Sequence, residues 1–178
     1  MKTNKISIIA VAVMIAAAPA AEAQSYNPFQ IGGFGGVAFP TGDLGQVTNT
    51  GYTIGVALGF RPQLSPAGLR FDAAWNQFGI ENGDGNINIP SFTANIEYGL
   101  PLGMSFSPYL IGGAGLYHTS ADIGGLSSNG SNDFGWNIGG GIRLPLSGFS
   151  TFIEARYNSV NADNGTLTYI PVTFGITF

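Results

Sequence analysis

Three groups of residues have types and spacings that could do chemistry. His118-Thr-Ser120 puts a base and a hydroxyl two positions apart, on one face of any extended segment. A nucleophilic serine needs such a base within hydrogen-bond reach, and the base needs a carboxylate to orient it. The region about a dozen residues on reads Ser131-Asn-Asp133, with no glutamate, so a rim histidine beside a loop serine is the plainer reading. Asn82-Gly-Asp-Gly-Asn-Ile-Asn88 spaces oxygen ligands at alternate positions, as calcium loops do, but Thr93 stands where the closing bidentate glutamate belongs. The third group is six charges in otherwise apolar, alternating surroundings: Arg70, Asp72, Glu97, Arg143, Glu154 and Arg156. Their simplest chemistry is mutual pairing in a narrow polar interior. Catalytic residues, a cofactor site and a metal site are not expected.

The glycine clusters near Gly32 and Gly139 are not phosphate cradles, because no Lys-Ser/Thr follows them. Cysteine is absent, which removes disulfides, thiolate ligands and a thiol nucleophile. Met1–Lys5 is a short cationic leader, residues 6–18 are apolar, and Ala21-Glu-Ala23 is a small-x-small cleavage pattern. Residues 1–23 are therefore expected to be a cleaved export signal, since the apolar run is too short to span a bilayer as a helix. Residues 24–178 form one domain. Both lysines lie in the leader, leaving four arginines against nine acidic residues, which argues against nucleic acid as a partner. Charged residues make up 9% of the chain, against about 25% in ordinary soluble domains. No later apolar run is long enough for a membrane helix; if a membrane is crossed, strands cross it.

Eight alternating segments follow the leader: Phe29–Phe39, Gly51–Phe60, Leu69–Gly79, Ser91–Gly99, Pro108–His118, Phe134–Leu144, Phe149–Val160 and a closing strand ending at Phe178. Each is close to the 9–11 residues a tilted transmembrane strand needs. Connections after the second, fourth and sixth are compact and carry proline. The others are mostly longer and rich in Asn, Asp, Gly and Ser, and no helix is expected in them. In the last segment Ile170, Val172, Phe174, Ile176 and Phe178 share one face, while Pro171, Thr173, Gly175 and Thr177 share the other.

Parity decides which face meets lipid. Ile31, Val56, Phe71, Trp75, Phe92, Ile96, Trp136, Ile138, Ile153 and Tyr157 all fall opposite the strand charges. A water-soluble barrel would have to bury those charges and expose the aromatics, which is costly on both counts. The fifth segment is ambiguous; by analogy with the sixth, Tyr109, Ile111 and Tyr117 are placed outside. Aromatics then gather into two belts, one near each rim.

The closing strand and Phe152-Ile-Glu-Ala-Arg-Tyr157 resemble the OmpA/OmpX-like family of small outer-membrane barrels. The resemblance implies an eight-stranded antiparallel up-and-down transmembrane β-barrel in the outer membrane of a Gram-negative-type bacterium. It implies that Phe174, Gly175, Ile176 and Phe178 form a signal for the barrel-assembly machinery. It further implies outer-membrane lipids as partners and a monomer. The expected role is non-enzymatic, in envelope structure or surface interaction through four external loops. A narrow pore or small-molecule carrier is the alternative. His118-Thr-Ser120 also resembles the lipid A 3-O-deacylase family, which implies a lipid A-modifying esterase as a third reading.

Overall fold

The computed structural model describes residues 27–81, 83, 85–102, 105–123, 126–127, 130–162 and 165–178. The expected export signal lies outside the described residues, as do Asn82 and Asp84. Nine strands are described: β1 (Phe29–Thr41), β2 (Gly51–Phe60), β3 (Ala67–Gly79), β4 (Gly85–Gly99), β5 (Ser107–Ile123), β6 (Leu126–Ser127), β7 (Ser131–Pro145), β8 (Ser150–Ala162) and β9 (Gly165–Thr177). Eight form the wall; β6 only extends the β5 hairpin. Neighbours pair in the order β4-β3-β2-β1-β9-β8-β7-β5, and β4 pairs with β5 to close the ring. Every pairing is antiparallel. At the seam Phe34 stands opposite Gly175 and Val37 opposite Val172. Phe178 N–H then donates to the Ile31 carbonyl at 2.8 Å. Among the described residues the eight-strand wall has no open edge, as a lipid-embedded sheet requires.

The wall is taller than the sequence suggests. β4 begins six residues before Ser91, and β5 continues past His118. Asn86 and Asn88, read above as possible calcium ligands, stand in the β3–β4 ladder opposite Gly79 and Gln77. The alternation of Asn86 and Asn88 with Ile87 and Ile89 is a strand pattern whose polar members mask it. A six-residue helix, α1 (Gly42–Val47), also replaces part of the expected first loop. Gly42 turns the chain into it at φ +58°, a left-handed conformation that glycine adopts without steric cost.

β5 corrects the sequence reading. Tyr109, Ile111 and Tyr117 are buried inside, and Leu110 and Leu116 face outward. Ile111-Gly-Gly113 of β5 and Ile138-Gly-Gly140 of β7 invite an analogy, but in register Ile111 lies opposite Gly139, and Gly112 opposite Ile138. The two repeats therefore have opposite phase. The inward rings lie over glycines of the neighbouring strand. A Cβ on Gly141 would meet the Tyr109 ring at 2.6 Å, and one on Gly175 would meet the Phe152 ring at 2.2 Å.

Candidate functional site: the closed lumen

The lumen is stacked in layers along the barrel axis. At the end where β1 begins and β9 finishes, Glu97 accepts from Arg143 Nη1 and Nη2 at 2.7 and 2.9 Å. Arg61 also pairs with Glu97. The sequence reading leaves Arg61 in a turn, yet its parity continues the inward set of β2, Thr53, Ala57 and Gly59. Four guanidiniums thus meet three carboxylates, rather than three meeting three.

One layer deeper, Arg70 donates from Nη1 and Nη2 to the two oxygens of Glu154 at 2.9 and 3.2 Å. Its Nε donates to Asp72 at 2.8 Å. Arg156 bridges the same two carboxylates, Nε to Glu154 at 2.5 Å and Nη2 to Asp72 at 2.7 Å. Tyr109 OH adds a fourth donor to Glu154 at 2.8 Å, and Asn95 donates to Asp72 at 3.1 Å. Glu154 is 3% exposed and Arg70 5%, so water gives these ions little solvation. Bidentate, charge-assisted bonds offset the desolvation. Aromatic faces complete the packing: the Arg70 guanidinium carbon lies 5.0 Å from the Phe152 ring centroid, and that of Arg143 lies 5.0 Å from the Tyr109 centroid. All six sequence-predicted lumen charges fall in this one connected cluster.

Above the ions is a cavity of about 40 Å³ lined by Asp72, Asn76, Ser91, Arg156, Asn158 and Tyr169. That is room for only about two or three waters. A second cavity of about 20 Å³ opens among Arg61, Arg70, Glu97 and Arg143 at the end where β1 begins. The charge network fills the barrel between them.

Beyond the upper cavity the polarity reverses. Inward positions become apolar: Ala38, Phe78, Ile89, Tyr117, Val160 and Tyr169 form a buried cluster, with Ile87 and Leu167 against it. Outward positions at the same height become polar, as Asn86, Ser120 and Asn161 show. Below the upper cavity the outside is apolar and the inside charged; here the arrangement is that of a water-soluble β-protein. The reversal falls beside Trp75 and Phe92, exposed members of the upper aromatic rim.

Leu44 of α1 closes the top, 2% exposed and packed into this cluster. The segment behind it is held by a bridge between Thr48 and Ile80. Asn49 N–H donates to the Gly79 carbonyl at 2.8 Å, and Glu81 N–H to the Val47 carbonyl at 2.9 Å. Leu44→Ala should lower unfolding stability by about 2–5 kcal/mol, the range for emptying a buried leucine site. Denaturant unfolding in detergent checks this; an unchanged midpoint would show that α1 is not a seated cap.

His118 and Ser120 lie on the outward side of β5. His118 Nδ1 faces Asn132 Oδ1 at 2.9 Å, where the esterase chemistry needs a carboxylate. Of the nearby carboxylates, Asp122 accepts from Asn88 Nδ2 at 3.1 Å, and Asp133 points the other way: it is 5% exposed and accepts from Ser131 Oγ at 2.8 Å. Among the described residues no group of three or more His, Cys, Asp or Glu side chains is arranged to hold a metal ion. In the closing strand Phe174 and Phe178 face outward, Gly175 inward beneath the Phe152 ring, and Ile176 is half-buried.

A closed antiparallel barrel of eight strands, apolar outside and ionic inside, defines a small outer-membrane β-barrel protein. Residues 8–178 match the family model for the outer membrane protein beta-barrel domain, and the chain belongs to that family. Solved structures agree on the fold. Neisserial surface protein A (NspA) superposes with a TM-score of 0.69 at 19% identity, covering 85% of this chain and 96% of that one. A major outer membrane protein from Thermus thermophilus gives 0.58 at 12% identity, covering 85% and 99%. The N-terminal barrel domain of Pseudomonas aeruginosa OprF gives 0.52 at 14% identity, covering 84% and 96%. No curated protein sequence matches the chain.

Proposed function

We propose that this protein is a non-enzymatic, monomeric wall component of the outer membrane that acts through its external end, with a lumen that does not conduct. The observation that carries the reading is the double closure of the lumen, by the Arg70–Glu154–Arg156–Asp72 cluster and by the apolar cluster under Leu44. A path for solutes would have to break buried ion pairs and unseat α1. The external end is then what remains for contact with other molecules. Its described carboxylates, Asp43, Glu81 and Asp122, stand with no lysine or arginine in the same connections.

Export through residues 1–23, and insertion by the barrel-assembly machinery through Phe174, Gly175, Ile176 and Phe178, belong to the same proposal. Orientation is tested on intact cells. A cysteine at Asn49 or Glu81 should react with a membrane-impermeant thiol reagent, and one at Ser147 should not; the reverse pattern would invert the barrel. Mass analysis of lipid A from expressing cells tests the esterase alternative, and loss of an acyl chain that depends on Ser120 would establish it.

A further inference from the structure

We propose that the turns at the end where β1 begins and β9 finishes are a lipid-binding surface, seated in the interfacial layer of the adjacent leaflet rather than in water. The inference rests on the outer-membrane placement of the wall. Each of the three turns presents an exposed leucine: Leu64 is 100% exposed, Leu102 57% and Leu146 52%. Leu64 has φ +67°, in the left-handed region where glycine or asparagine is favoured and a leucine is disfavoured. The fold gains nothing from leucine at that position, so the side chain answers to something outside the fold.

Charge tells the same story. In residues 61–66, 100–106 and 146–149 the only charged side chain is Arg61, and it turns inward onto Glu97. The leucines continue the outward apolar rim of Phe60, Tyr98, Leu144, Phe149 and Phe178, all exposed.

Continuity with the lipid-facing wall supplies a further reason. The outward apolar runs from Phe29 to Phe39 of β1 and from Phe134 to Leu144 of β7 climb about 25 Å, at about 3.3 Å per residue and a tilt of about 40°. That matches the apolar band of a membrane barrel, about 25 Å tall. At the opposite end the apolar outside stops, and Gln77, Asn86, Ser120 and Asn161 hold the outward positions. At this end it runs on into the leucine turns. The occupant is therefore the lipid interface itself, which takes leucine and proline but has no need of a charged anchor here.

The chain has no cysteine, so single cysteines placed at Leu64, Leu102 and Leu146, with Asn49 as control, carry one label each. The labelled proteins, bearing an environment-sensitive dye, are folded into phosphatidylcholine vesicles and checked by heat-modifiable migration. The expected result is blue-shifted emission at the three turns, loss of emission with lipids brominated near the carbonyls, and protection from aqueous iodide. Asn49 should show the opposite. Iodide quenching at the turns equal to that at Asn49 overturns the proposal. Protection without bromolipid quenching also overturns it, and assigns the turns to a second copy of the chain. If the unlabelled chain fails to insert, the membrane placement falls and the proposal falls with it. In a second arm, Leu64→Asn suits the left-handed backbone and should leave folding in detergent intact while slowing insertion into vesicles several-fold. Unchanged insertion of the combined Leu64→Asn, Leu102→Asn and Leu146→Asn variant would count against lipid contact.

Discussion

Glu154→Ala should destabilise the barrel by about 3–5 kcal/mol, the cost of leaving a buried ion without its partner. Glu154 is the hub of the lumen: it accepts from both terminal nitrogens of Arg70, from Arg156 Nε and from Tyr109 OH. Its loss leaves two guanidiniums facing each other across a site that is nearly dry. Urea unfolding in detergent measures the change. The variant also loses bulk between two existing cavities, so it should pass ions where the parent does not. Exchanging the charges, Glu154→Arg with Arg156→Glu, keeps one pair but faces the new arginine with Arg70. It should therefore recover only part of the stability. Full recovery would mean that the Arg70 contact contributes nothing.

The second large effect concerns the outside of one strand. Ile153 and Asn161 lie on the same face of β8, both exposed. Ile153→Arg places a guanidinium against mid-membrane lipid and should cost about 2–4 kcal/mol, whereas Asn161→Arg lies above the polarity reversal and should cost about 0–1 kcal/mol. Folding into phosphatidylcholine vesicles, followed by denaturant titration, reads the difference. Equal costs would mean that the reversal does not mark the membrane boundary.

Much of the wall is legible in the sequence because the membrane imposes a strict rule. A charge inside a transmembrane strand must face the lumen, so Arg70, Asp72, Glu97, Arg143, Glu154 and Arg156 fix the phase of β3, β4, β7 and β8. β5 lacks any charge from Ser107 to Tyr117, and both of its faces are apolar. Its phase is set instead by tyrosine hydroxyls that seek Glu154 and Asn158 and by rings that need facing glycines. The run Gly135, Gly139 and Gly141 on β7 is the signal that could have shown this.

The apolar cap is hidden for a different reason. The lumen phase of β4 continues unbroken from Glu97 through Ser91 to Ile89 and Ile87, but its polarity changes. A reading that equates the inward face with polar residues stops at that point and assigns the remainder to loop. Leu44 gives no periodic signal, since a six-residue helix is too short to show one. Arg61 is legible by parity alone; the proline after it draws the strand boundary one residue early.

Single-channel recording of the unmodified protein, folded in detergent and added to a planar bilayer, tests the closed lumen most directly. The layered arrangement of ion pairs, small separate cavities and apolar cap predicts no steady conductance in molar salt. A stable open level in most insertions, insensitive to Glu154→Ala and Leu44→Ala, would contradict it and make the protein a narrow pore.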